Sequence, residues 1–304
     1  MPETLMSIQV GTAPVSWGIM EVSTKWGQTQ TADSVLNEMV SAGYNGTELG
    51  PWGFFPTDAK HLRAELSRRN MHLIGAFVPI PLANPELHQA GFDSAISTAH
   101  LLSECGARIV VLADAMSEHR MAIAGSVGEK DGLGDRQWAS AMKLLEKVAS
   151  EIDKVGLRAA FHHHAGTYVE TPREVSRLLA DTDSSLLGLC LDTGHYLYGG
   201  GDPVEAAEEY GGRIWHLHLK DVRKEILDVV RRKKIRFIDA VSQGVFCPLG
   251  EGIADIPGVI RILQLRGYNG WAVFEQDVDP TTPGVVPRDS ALSSRKYLRE
   301  AVGL

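Results

Sequence analysis

Cysteine is scarce in this chain of 304 residues: Cys105, Cys190 and Cys247 are an odd set with no Cys-x-x-Cys spacing. That excludes a disulfide framework and a thiolate zinc site, and leaves buried or inert thiols. Long apolar runs are also missing. No uncharged stretch approaches the roughly 18 to 20 residues of a membrane span, and residues 1–7 are too polar to open a secretory signal, so a cytoplasmic chain is expected. Positive charge is the third shortage. Thirty basic against 38 acidic side chains leave a net charge of −8, which opposes attraction to phosphate backbones and anionic lipid; neither nucleic acid nor a membrane is an expected partner. The remainder, 44% hydrophobic with 22% charged residues and 31 glycines, is an ordinary globular composition, and disorder, collagen and coiled coil fall away.

Short β-rich runs alternate with longer amphipathic stretches along the whole length, the pattern of repeated βα units around a parallel sheet. Strands are expected over 8–13, 46–49, 72–78, 108–112, 158–163, 187–191, 214–219 and 271–275. Between them Trp138, Ala141, Leu145, Val148 and Ile152 recur every three or four residues as one buried stripe. Further helices are expected near 31–42, 58–69, 92–105, 172–180, 203–210, 256–265 and 288–301, with Gly43, Gly106, Gly156 and Gly267 just beyond four of the helix ends. Eight strands alternating with eight helices match a (β/α)8 TIM barrel better than an open doubly wound sheet. With neither a low-complexity linker nor an internal repeat, residues 1–304 read as one α/β domain.

Two connections are too long to be plain turns, 115–136 after the fourth strand and 221–256 after the seventh. Loops after strands gather at the C-terminal face, where barrels keep their active sites. The basic run Arg231, Arg232, Lys233, Lys234 and Arg236 inside the second reads as a solvated helix end rather than an anion site, since it has no aromatic interleaving.

Six of the 11 histidines fall at the ends of three expected strands: His162, His163 and His164, then His195, then His216 and His218. Inward side chains from different strands converge on that rim, so the coincidence points to a metal or acid–base centre. Alternation places His216 and His218 on one face, away from Trp215, Leu217 and Leu219, and places His162 and His164 together with His163 opposite. Asp192 ends an apolar strand, where a carboxylate is costly unless it meets a cation or is fully hydrogen-bonded. Glu275 is the first charge after the apolar run of the eighth strand. Mixed His and carboxylate donors without thiolate suit Mn²⁺, Co²⁺, Fe²⁺, Zn²⁺ or, less well, Mg²⁺.

The chain resembles the xylose isomerase-like TIM-barrel superfamily of sugar isomerases, epimerases and dehydratases over nearly its full length. The resemblance is carried by Glu48 in Gly46-Thr-Glu-Leu, LDTGH at 191–195, HLHLKD at 216–221, PLGEG at 248–252 and GYNGWAVFE at 267–275. Within it, HHHAGT, the opening GTAPVSWG, GVFCPLGEG and the closing FEQDVDP are most similar to the inosose dehydratases. By that resemblance one divalent ion, Mn²⁺ or Co²⁺ before Zn²⁺, Fe²⁺ or Mg²⁺, is held by His162, Asp192, His218 and Glu275. His162 stands where the superfamily carries a fifth-strand carboxylate, with His164 as the alternative ligand. His195, His164, His216 and Trp17 are the expected substrate contacts; Glu275 or Glu48 is the expected base, and His195, His164 or Lys220 the proton donor. One departure is Gly18-Ile19 after the opening Trp17, where that branch usually has Asn-Asp.

The implied activity is a hydro-lyase acting on an inosose such as 2-keto-myo-inositol through an enediolate, in myo-inositol catabolism. A metal-dependent sugar isomerase or ketose 3-epimerase using the same site is the alternative. An apurinic-site endonuclease, another branch of the fold, is opposed by the net negative charge, and a decayed binding protein by the intact Asp192, His218 and Glu275. The expected partner is a small polyol ketone or sugar; the sequence is compatible with a homo-oligomer.

Overall fold

The computed structural model describes residues 8–22 and 27–304; the polar segment 1–7 lies outside them. The barrel strands are β1 Gln9–Thr12, β2 Gly46–Thr47, β3 in two parts His72–Leu73 and Gly75–Ile80, β4 Ile109–Asp114, β5 Arg158–His162, β6 Leu187–Asp192, β7 Ile214–Leu219 and β8 Trp271–Phe274. All pair in parallel, and β1 pairs with both β2 and β8. The two parts of β3 are the ends of the hydrogen-bonded order and only Ile74 separates them, so the sheet closes into the expected (β/α)8 barrel.

The outer ring is α1 Ala32–Ser41, α2 Ala59–Ser67, α3 His88–Glu104, α4 Asp135–Lys154, α5 Pro172–Ala180, α6 Pro203–Tyr210, α7 Ile256–Leu265 and α8 Pro287–Tyr297. Their starts follow from capping chemistry. Thr31, Asp58, Thr171, Asp202 and Asp255 each accept a backbone N–H from the first turn, and Thr171 with Glu174 forms a reciprocal capping box. Among the described residues no helix is long and apolar enough to cross a membrane.

Strand alternation divides the apolar side chains between two cores. Val110, Leu112, Ala159, Phe161, Leu189, Leu191, Leu217 and Leu219 face the helices and join the main core with the α4 stripe. Ile109, Val111, Ala160 and Cys190 fill the barrel interior with Phe77 and Trp215. Trp215 departs from the simple alternation. A β-bulge between β6 and β7 lets Leu189 pair with Ile214 and Cys190 with His216, so Trp215 turns inward rather than lying with Leu217 and Leu219.

The two long connections form a third core over the C-terminal rim. Met121 and Ala124 of the first pack with Leu227, Val230, Phe237, Val241 and Phe246 of the second and with Tyr198. Arg231 donates to the carbonyls of Leu197 and Tyr198, and Arg236 pairs with Glu118. The first connection is anchored below by Arg120, fully buried, whose guanidinium donates to both Glu174 oxygens at 2.9 and 3.0 Å. Removing one partner of a buried pair strands the other charge. Arg120→Met should therefore cost about 3–5 kcal/mol, measured as a lower midpoint of urea unfolding by circular dichroism. A loss below about 0.5 kcal/mol, the scale of an ordinary surface substitution, would show the anchor to be dispensable.

Candidate active site

The strand ends bring the expected residues to one rim. His162 closes β5, Asp192 closes β6 opposite His218 of β7, and Val273 of β8 also pairs with His218, which places Glu275 beside it. His162, Asp192, His218 and Glu275 each offer a donor atom, and these atoms lie within 4.8 Å of one another. His162 Nε2 is 3.4 Å from Asp192 Oδ2; His218 Nδ1 is 3.1 Å from Glu275 Oε2 and 3.9 Å from Asp192 Oδ2. Despite those approaches, buried His218 Nδ1 makes no hydrogen bond.

Glu48, just past β2, is the outer support of this group. Its Oε1 accepts from His218 Nε2 at 2.9 Å and from His216 Nε2 at 2.7 Å. Burial alone would raise Glu48, but His218 and His216 outweigh it and hold the carboxyl below its usual range. A carboxylate behind a histidine fixes the ring's tautomer and leaves the other nitrogen free for a metal.

A second cluster adjoins the first. Lys220 is buried with Nζ 2.7 Å from Asp277 Oδ1, 3.3 Å from both Asp192 Oδ2 and Glu275 Oε2, and 2.9 Å from His195 Nε2. Burial would lower its pKa, yet Asp192, Asp277 and Glu275 raise it above the ordinary lysine value. Lys220 in turn opposes the effect of burial on Asp192 and holds that carboxyl well below its usual range. Asp277 behaves differently, being pushed up to about 6 by burial. His195 is fully buried, with the His164 ring 3.8 Å away and burial keeping both imidazoles neutral. Gly194 makes room for the lysine stem, because a Cβ there would sit 2.7 Å from Lys220 Cγ.

The cavity above these groups is lined by Met20, Glu21, Glu48, Phe77, His162, His164, Lys220, Glu275 and Asp277 among others, with a volume of about 40 Å³. Past Glu21, Gly50 and Phe77 it opens into a groove of about 290 Å³ beside Trp52. Three buried carboxylates, Asp192, Glu275 and Asp277, thus share the one fixed charge of Lys220, and buried Glu48 is met by two imidazoles. That imbalance, the nitrogen and oxygen donors and the unbonded His218 Nδ1 fit a divalent cation.

Comparison with known proteins agrees with this architecture. The profile of the xylose isomerase-like TIM barrel matches residues 36–301. An inosose dehydratase of Geobacillus kaustophilus is 33% identical, covering 99% of this chain and 97% of that protein. The chain belongs to the xylose isomerase-like TIM barrel family. The rhizopine catabolism protein MocC of Rhizobium meliloti is 35% identical over 91% of this chain and 84% of its own. The IOLI protein, whose crystal structure holds a zinc atom, shares the fold with a TM-score of 0.71 at 14% identity, covering 97% of this chain and 98% of that one. Through its dehydratase relatives this family member is an enzyme of the hydro-lyase type.

In this xylose isomerase-like barrel the two open histidines separate. His162 joins Asp192, His218 and Glu275, whereas His164 groups with His195 and Asp277. His163 turns outward, accepting the Asp192 N–H at 3.2 Å and meeting the Tyr196 ring edge to face. His195 and His216 stand behind the cavity wall, against Lys220 and Glu48 respectively. Trp17 corrects the sequence reading. Its ring is fully buried in the main core and its indole donates to Glu38 Oε2 of α1 at 2.7 Å, because a buried indole N–H needs an acceptor and the adjacent helix supplies one. It is a core residue, outside the lining of the cavity. Gly18 follows it in the left-handed region, φ 76°, where a Cβ would strike Pro280 at 2.5 Å, so Asn in this turn would be strained.

Asp277 and Glu21 were not singled out from sequence. Asp277 lies two residues beyond Glu275, a spacing that alternation could have used; Glu21 follows an irregular turn that has no period. Supporting carboxylates are typically worth about 10- to 100-fold in metal affinity. Glu48→Gln should weaken Mn²⁺ binding by that factor in calorimetric titration, and His163→Ala should change it less than threefold. Equal affinity in Glu48→Gln and the unaltered protein would remove Glu48 from this role.

Proposed function

We propose that the chain is a metal-dependent dehydratase acting on an inosose such as 2-keto-myo-inositol, in the cytoplasm. The observation that carries this reading is the juxtaposition of the His162, Asp192, His218 and Glu275 donor group with the Lys220, Asp277 and His164 cluster in one cavity. The full-length inosose dehydratase relatives support the substrate class. The zinc of the IOLI protein supports a metal in this fold. Mn²⁺ or Co²⁺ suits the mixed donors, with Zn²⁺ also accepted.

When bound, the ion supplies Lewis acidity toward a ketone oxygen. The chain's own residues handle the protons. Glu275, held below the usual carboxylate range by His218 and Lys220 against the effect of burial, stays ionised and takes the hydrogen α to the ketone. Lys220 keeps its proton and orients a substrate oxygen by charge. Asp277, whose buried Oδ2 has no hydrogen-bond partner, is placed to pass a proton to the departing β-hydroxyl, which leaves as water. Glu48 stays behind His218 and His216 as their support. The small cavity takes the reacting edge of the ring, and the groove beside Glu21, Phe77 and Trp52 takes the rest.

Incubation with a panel of inososes in deuterated water should show solvent deuterium at the α-carbon by NMR and an absorbing conjugated product. Glu275→Gln should lower turnover by about 10² to 10⁴; excess metal should restore occupancy but not rate. Exchange without water loss would identify an isomerase or epimerase instead, and neither exchange nor product from any inosose or ketose would overturn the mechanism.

A further inference from the structure

The donor atoms of His164, His195 and Asp277 lie within 4.8 Å of one another, a second metal-like group beside the first. All three side chains are buried, and Asp277 Oδ2 makes no hydrogen bond while lying 3.6 Å from His195 Nε2. His164 Nδ1 donates to the Ala165 carbonyl at 2.7 Å, which leaves the lone pair on Nε2. Such a donor set ordinarily surrounds a cation.

A cation is already there. The Lys220 ammonium touches Asp277 and His195 of the second group and, at 3.3 Å, both Asp192 and Glu275 of the first. It therefore occupies the place from which a bridging second ion would contact both groups; paired metal sites of this kind hold their ions about 3.5–4 Å apart. The stem reaches this place along a fixed path, over Gly194 and with the Lys220 backbone locked to the Thr193 hydroxyl at 2.6 and 2.9 Å.

We infer that Lys220 is a built-in second cation: its ammonium fills a latent metal site formed by His164, His195 and Asp277 with the shared oxygens of Asp192 and Glu275, and its removal lets a second divalent ion bind. The consequence for the enzyme is a site with one exchangeable charge and one that cannot be lost. An ammonium contributes a single positive charge and no open coordination position, so a substrate oxygen meets it as a hydrogen-bond donor and not as a Lewis acid. The inference rests on the metal reading of the first group, and the test separates the two.

Lys220→Ala and Lys220→Ser both remove the charge and open space for an ion, and their folding is checked by circular dichroism. Mn²⁺ is titrated into each protein, with bound metal counted by elemental analysis after gel filtration and the spin state followed by electron paramagnetic resonance. The unaltered protein should hold one ion per chain even at large excess and give an isolated Mn²⁺ spectrum. Either variant should hold two, with the broadened spectrum of a coupled pair, and adding Asp277→Ala should return the count to one. A folded variant that still binds one ion, or an unaltered protein that binds two, would overturn the inference. A single ion in the unaltered protein leaves the metal reading intact whichever way the variants behave. No ion in any protein would defeat that reading and the inference with it.

Discussion

Four carboxylates that burial would ordinarily neutralise come together at the mouth of this barrel, and the cost of keeping such charge out of water falls only where cations sit within a few ångströms. Lys220 meets that constraint for Asp192, Glu275 and Asp277 together, and the His216 and His218 imidazoles donate to Glu48. Other features of the rim follow. Gly194 is small because the lysine stem crosses it, and Thr193 pins the lysine backbone so that the ammonium cannot retreat. Asp192 also accepts the His195 N–H, so the short helix Thr193–Tyr198 starts on the same carboxylate that faces the metal group.

The walls of the site depend on similar bonds. Glu170, fully buried, accepts from the backbone N–H groups of Gly125 and Gly166 at 2.7 Å each, joining the connection after β4 to the turn that follows His164. Asp114, at the end of β4, accepts from Leu82 and Tyr168 and so ties the loops after β3 and β5 to the same strand. The rim is held by carboxylates bonded to loop backbone as well as by the third apolar core. A site used for proton transfer gains from this, because donors and acceptors are fixed before substrate arrives.

Much of this architecture was legible in the sequence, for a physical reason. A buried strand spends its residues on apolar side chains, so the first His or acid after the run marks the strand's end and, in a barrel, its catalytic rim. Asp192 and Glu275 are legible that way, whereas His162 and His218 rest on strand alternation and on the family resemblance, which leaves His164 as an alternative. What escaped reading depended on contacts the sequence does not encode locally. Trp17 reads as a residue of the opening motif, but its partner Glu38 lies 21 residues on, across a turn and a helix. Trp215 breaks alternation through a bulge set by pairing with β6, and no local pattern announces it. Glu48 reads as a candidate base rather than a support because the two imidazoles that engage it are 168 and 170 residues away. The long connections read as two separate loops over the C-terminal face, though their apolar residues share one cluster.

The pairing of β1 with β8 bears on how the enzyme comes into being. Thr12 donates its hydroxyl proton to the carbonyl of Phe274, a contact spanning 262 residues, and such closures are slow because the whole intervening chain must be ordered first. Glu275 arrives on that last strand. The nascent polypeptide can assemble most of its ligand set while synthesis continues, but the fourth donor comes only with the stave that completes the cylinder. An ion held by all four donors would thereby be acquired only at the end of folding, since a chain short of β8 lacks Glu275.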